Sequence, residues 1–199
     1  MRNFLCEKPL MLATHNQGKL REIAALFAPY NIEIISAQDA GVPEPVEDGQ
    51  DFCENALIKA RNGAAHSGLV SLADDSGLCV CALGDAPGIF SARWAGAEKD
   101  FCLAMDRVLK KLEGKQDRLA RFVCALAIAR PDGESLCVQG ILEGKIAHKA
   151  KGEKGFGYDP IFIPNGHNLT MAQMDPCDKA AISHRAKAWE KLKKVLFAD

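Results

Sequence analysis

Leu69-Val70-Ser71-Leu72-Ala73-Asp74-Asp75-Ser76-Gly77 decides how this chain is read, because an apolar run empties directly into two carboxylates, a hydroxyl and a glycine. A short apolar run bounded by turn chemistry reads as a buried strand ending at Ala73. Acidic side chains at the end of such a strand stand at a sheet edge, where the crevices of α/β folds take ligands. Two neighbouring carboxylates repel, so they require a cation, a proton or a basic partner. Asp-Ser-Gly is also ordinary turn chemistry, so the rest of the chain has to decide between turn and site.

Working outward, Leu10 to Ala13 reads as a first strand, followed by the polar loop Thr14-His15-Asn16-Gln17-Gly18. A helix with Leu20, Ile23, Ala24 and Phe27 on one stripe comes next, then a strand from Ile32 to Ile35. The loop from Gly41 to Gly49 is rich in breakers and acid. Asp51-x-x-Glu54 has the form of a helix cap, and the spacing predicts a helix to about His66 with Phe52, Ala56, Ala60 and Ala64 as a narrow packing edge. Beyond the acidic pair, Leu78 to Leu83 is strand-like and Ala86-Pro87-Gly88 breaks it. Phe101, Met105, Val108, Leu109 and Leu112 recur at helical spacing. Phe122 to Ala129 reads as a strand that turns at Pro131-Asp132-Gly133-Glu134 and returns over Leu136 to Leu142. After a glycine-rich loop from Gly152 to Pro160, a last helix carries Ile182, Ala186, Trp189, Leu192 and Leu196 on one face. Helix and strand alternate early and antiparallel strands come late, so the fold class is α/β with a mixed sheet.

Composition bounds the function. The 199 residues suffice for a single domain over 1–199, with no linker that would separate independent domains. A formal net charge of −1 argues against a nucleic-acid binder, which carries a basic surface. No uncharged apolar stretch approaches the ~18 residues of a membrane span, and no secretory signal is read at the N-terminus. None of the eight cysteines forms a Cys-x-x-Cys pair, and most sit in apolar periodic segments, so reduced thiols and a cytoplasmic protein are expected.

Four groups of residues carry chemistry. Thr14-His15-Asn16-Gln17-Gly18-Lys19 lies on a strand–loop–helix whose backbone N–H groups and dipole suit phosphate. It is not a P-loop, since Ala13 and Leu20 stand where that motif needs Gly and Ser or Thr. Glu47, Asp74 and Asp75 form an acid set of the kind that holds magnesium, with Lys59 in reach of phosphate. In Gly155-Phe156-Gly157-Tyr158-Asp159-Pro160, flanking glycines let an aromatic stand out for a base to stack on, and Asp159 before Pro160 is expected to be extended. Lys179 and Ser183-His184-Arg185 open the last helix; neighbours on a helix diverge by about 100°, so His184 and Arg185 read as ligand donors and not as partners of a Ser nucleophile.

Together these segments closely resemble the inosine/xanthosine triphosphate pyrophosphatase family. The matching pieces are Thr14-x-Asn16-x-x-Lys19, Glu54-Asn55-Ala56 with Lys59, and Ala73-Asp74-Asp75-Ser76-Gly77-Leu78. They continue with Ala86-Pro87-Gly88-Ile89-x-Ser91-Ala92-Arg93, Gly155 to Phe162, and Lys179 with Ile182-Ser183-His184-Arg185, in the family order. The resemblance implies an elongated mixed sheet with flanking helices forming two lobes around a central cleft, and a homodimer. It implies magnesium-dependent hydrolysis of non-standard purine nucleoside triphosphates (ITP, dITP, XTP) to the monophosphate and pyrophosphate. By position, Asp75 is the proton acceptor, Asp75 and Glu47 support the metal, and Thr14 to Lys19 with Lys59 hold phosphates. Ser76 touches substrate, and Phe156, Gly157, Tyr158, Asp159, Lys179, His184 and Arg185 bind the nucleotide around the base. Two rivals stand beside this reading: a related pyrophosphatase for pyrimidine or modified nucleotides, and a non-catalytic nucleotide sensor.

Overall fold

The structure is a computed structural model that describes residues 9–14 and 16–197, with the side chain of Gln17 left aside. Its strands are β1 (Leu10–Leu12), β2 (Ile34–Ser36), β3 (Ser71–Val80), β4 (Leu119–Ala129), β5 (Ser135–Ile146) and β6 (Phe162–Pro164). Its α-helices are α1 (Gln17–Phe27), α2 (Phe52–Ser67), α3 (Phe101–Lys111), α4 (Pro176–Ile182) and α5 (His184–Leu196). The six strands form one mixed sheet in the order β2-β1-β3-β4-β5-β6. β1 runs parallel to both β2 and β3, with Leu10 opposite Ile34 and Met11 opposite Ser71. β5 and β6 are antiparallel, with Gly144 opposite Pro164. No described helix is long and apolar enough to cross a membrane.

The chain packs as two compact units whose boundaries fall within β3, β4 and β5 and just before Arg185. The first contains the chain up to Asp75, Cys124–Gly140 and the stretch from Arg185. Its core joins Leu10, Leu12, Leu72, Leu126 and Ile128 from the strands to Ile23, Phe27, Trp189 and Leu192 from the helices. The α2 edge read from the sequence is present, with Phe52, Ala56, Ala60 and Ala64 all buried. Gly63 continues it, and any Cβ there would collide with the Met11 side chain and Ser71 Oγ, so helix and sheet approach closely. The second unit contains Ser76–Val123 and Ile141–His184. Its core is built from Leu78, Val80, Met105, Val108, Phe122, Ile146, Tyr158 and Phe162.

Three local expectations are corrected. The strand does not stop at Ala73: β3 runs on through Asp74, Asp75, Ser76 and Gly77 to Val80, and a 3-10 turn takes Cys81–Leu83. Basic and amide partners compensate the buried acids, Lys19 and Arg185 at Asp74 and Lys59 and Asn55 at Asp75, so the strand continues through residues that prefer turns. The last helix is two helices, because Ser183 between α4 and α5 is extended at φ −60, ψ 152. Finally, the cysteines are not all reduced: Cys53 on α2 is disulfide-bonded to Cys137 on β5, with Cα atoms 5.9 Å apart. Cys79, Cys81, Cys102 and Cys177 are free thiols. The paired residues are 84 positions apart, and only the packing of the first turn of α2 against β5 brings them together.

Candidate functional site

In the first unit, Asn16 caps α1 with its side-chain oxygen accepting from Gly18 N at 2.9 Å and Lys19 N at 3.2 Å. Thr14 Oγ1 accepts in turn from Asn16 N at 3.2 Å. The first-turn amides expected to face a phosphate are therefore held by Asn16, which leaves Lys19 as the group that projects. Its ammonium lies 3.0 Å from Asp74 Oδ2. His15 and the side chain of Gln17, also expected at this site, lie outside the described residues.

Asp74 and Asp75 point to opposite faces of β3, as neighbours on a strand must, and each meets its own basic partners. Asp74 is buried between Lys19 and Arg185, whose Nη2 donates to Asp74 Oδ2 at 3.2 Å while Nη1 donates to Glu22. Asp75 takes Lys59 Nζ at 3.3 Å and Asn55 Nδ2 at 3.4 Å. Asn55 and Lys59 come four residues apart on α2, so both side chains lie on one face. Asn55 also uses its side-chain oxygen to accept from Gly49 N at 2.9 Å, which ties the acidic loop to the helix. Lys59 reaches from Asp75 to Glu47 Oε1 at 2.8 Å.

The electrostatics follow from this packing. Burial pushes the Asp75 carboxyl above its ordinary value; Lys59 and Lys19 pull it down, while Glu47 and Asp74 push the same way as burial. For Lys59, burial acts against the charge, yet Asp75, Asp74 and Glu47 outweigh it and raise the ammonium above its ordinary value. Glu47 and Asp75 thus offer hard oxygens to one shared cation. Magnesium takes one or two carboxylates and fills its shell with water and phosphate, so this donor set fits it. Among the described residues no group of three or more His, Cys, Asp or Glu is arranged to hold a metal.

The second unit carries the aromatic loop. Asp159 accepts from Phe156 N at 2.9 Å and from Lys179 Nζ at 2.6 Å, and the same ammonium sits 4.8 Å from the centre of the Phe156 ring. Gly155, at φ +79, is needed here, because a Cβ would strike the Asp159 carboxylate. Asp159 is not extended as expected but opens a 3-10 turn, Asp159–Ile161, its backbone N–H donating to Phe156 O and its carbonyl accepting from Ala172 N while the carboxylate takes Phe156 N and Lys179. Phe156 is 37% exposed, so part of its ring remains open to a planar ligand. Gly157 follows with φ +65. Tyr158 is buried, and its hydroxyl donates to Ser91 O at 2.9 Å. Burial pushes the phenol's pKa up, which keeps that donor protonated. Ser91 Oγ accepts from Leu78 N at 2.9 Å and donates to Gly88 O at 2.6 Å, so one serine joins β3 to the loop. Ser76 is half-buried on β3, and His184 begins α5 with its ring against Phe122.

Three residues of these clusters were not singled out as site residues from the sequence. Asn55 could have been found from its four-residue spacing to Lys59, and Glu22 from its three-residue spacing to Lys19 on α1. Ser91 carried no such signal, because its partners come from distant segments.

The model of the Ham1 family matches residues 10–195. The chain belongs to the Ham1 family. Within it, a Caulobacter vibrioides protein named dITP/XTP pyrophosphatase is 54% identical over 190 residues, covering 94% of this chain and 97% of that one. A Rhodospirillum centenum protein of the same name is 54% identical over 192 residues, covering 95% of each chain. Among solved structures, a HAM1 protein from Coxiella burnetii superposes with a TM-score of 0.89 at 42% identity, covering 96% of this chain and 99% of its own. The Staphylococcus aureus Ham1 protein gives 0.86 at 38% identity, covering 95% and 98%. The α/β fold is thus shared with both of these Ham1 structures.

Proposed function

We propose that this protein hydrolyses non-standard purine nucleoside triphosphates, ITP, dITP and XTP, to the monophosphate and pyrophosphate. Its relatives in the Ham1 family bear the name dITP/XTP pyrophosphatase over nearly their whole length. The observation that carries the mechanism is Asp75, a buried carboxylate with a raised pKa held by Lys59 and Asn55. A carboxylate destabilised by burial is a stronger base than one in water.

In this reading Asp75 takes a proton from the attacking water as its oxygen bonds to the α-phosphorus. The bond from that phosphorus to the bridging oxygen breaks, and pyrophosphate leaves with the electron pair. Lys19 and Lys59 oppose the charge that develops on the phosphate oxygens. Glu47 and Asp75 would hold magnesium, which when bound neutralises phosphate charge. Phe156 offers a ring face to the base, and Lys179 and His184 offer donors to its polar edge. The same reading makes the protein a homodimer of the cytoplasm that acts on the nucleotide pool and not on nucleic acid, with the Cys53–Cys137 bond an exception to the reduced thiols usual in that compartment.

A triphosphate panel with magnesium, run in ¹⁸O-labelled water, tests it. Pyrophosphate released from inosine and xanthosine triphosphates far faster than from adenosine or thymidine triphosphates, with label in the monophosphate, is the expected result. Preference for a pyrimidine substrate, label in pyrophosphate, or binding without turnover would overturn it.

A further inference from the structure

His184 does not stand alone at the start of α5. Its imidazole lies nearly parallel to the Phe122 ring, 19° between planes with centroids 5.0 Å apart. Phe122 is buried on β4 and also packs on Phe162, the rings tilted by 44° with centroids 4.3 Å apart. Stacking of this kind has a preferred geometry and resists rotation of either ring out of plane. An imidazole offers its nitrogens only along its edge, so the plane of the ring sets the directions in which it can donate or accept. The phenyl face therefore aims a histidine that is itself only half-buried.

We propose that Phe122 is a positioning residue for base selection, acting through His184 and touching no substrate itself. The inference rests on the base-side role given to His184 above. A hydrogen-bonding site discriminates only as well as its donor is oriented, because a misaimed donor treats matched and mismatched partners alike. Aromatic pairing of this size corresponds to roughly a 2- to 12-fold effect when lost.

The test is a double-mutant cycle on the ratio of kcat/KM for inosine over adenosine triphosphate. Phe122→Leu should narrow the ratio roughly 2- to 12-fold, mainly through KM for inosine triphosphate. Phe122→Tyr, which keeps the ring, should restore most of it. In a His184→Ala background Phe122→Leu should narrow the ratio no further. An unchanged ratio in Phe122→Leu, or an equal loss in both backgrounds, would overturn the proposal. If His184→Ala itself left the ratio intact, the base-side role of His184 would fall first, a separate failure. A measurement on the wild-type fold stands apart from any folding defect. The ring-proton resonances of His184, assigned by their loss in His184→Ala, should be shifted by the ring current of Phe122. Resonances at ordinary positions would remove the stack and the proposal with it.

Discussion

Arg185 Nη2 donates to Asp74 Oδ2 at 3.2 Å, and both side chains are buried. Burial works against the guanidinium charge, while Cys124, Asp74 and Glu22 raise its pKa further above the ordinary value. From the sequence Arg185 was expected among the donors to the base; here two of its nitrogens serve carboxylates of the first unit. Removing one partner of a buried pair costs about 3–5 kcal/mol, because the other charge stays behind. Arg185→Ala is therefore expected to lower the melting temperature by many degrees, and to reduce inosine and adenosine triphosphate turnover by a common factor. A normal melting curve with a narrowed substrate ratio would return Arg185 to the base.

Alkaline stability tests the second unit. Burial pushes the Cys79 thiol from its ordinary 9.0 up to about 11 and pushes the Tyr158 phenol above its ordinary 10.0. The folded chain keeps both protons where the unfolded chain releases them, so stability falls as pH rises. The loss should begin near pH 9 and continue past 11, reaching up to roughly 2–3 kcal/mol for Cys79 alone at 1.36 kcal/mol per pKa unit. Urea midpoints measured between pH 8 and 11 should drop steadily, and less steeply in Cys79→Ala.

The disulfide makes a countable prediction. With Cys53 and Cys137 paired, at most six of the eight cysteines titrate as thiols in the unfolded, unreduced protein. A crosslink closing a loop of this length corresponds to about 4–5 kcal/mol in the chain-entropy account, with strain subtracting from it. Dithiothreitol and Cys137→Ser should each lower the melting temperature. Titration of all eight thiols would exclude the bond.

The regular parts of the fold were legible from the sequence. β1, β4 and the α2 cap and packing edge follow from apolar runs and a Ser/Asp-type cap, signals that depend on local residues alone. What was not legible depends on partners far along the chain. Asp-Asp-Ser-Gly reads as a turn, and only its partners Lys19, Arg185, Lys59 and Asn55 turn it into a strand interior. Cys53 and Cys137 belong to different periodic segments, and nothing local marks either as a bonded cysteine. Within the site, the family resemblance already singled out Asp75, but the separate partners of the two acids, Lys19 and Arg185 at Asp74 and Lys59 and Asn55 at Asp75, came only from the alternation of β3 and the helices it faces.

Turnover by Asp75→Asn measures the central claim most directly. An amide cannot accept the proton of the attacking water and is a poor ligand for a hard cation. It keeps the size of the carboxylate and removes a charge that burial disfavours, and Lys59 keeps Glu47 as its partner at 2.8 Å, so folding should be preserved. With inosine triphosphate and magnesium, pyrophosphate release by this variant is predicted to fall by at least roughly 10²-fold with an unaltered melting transition. A folded Asp75→Asn protein that keeps more than about a third of wild-type activity, well short of that loss, would contradict the account.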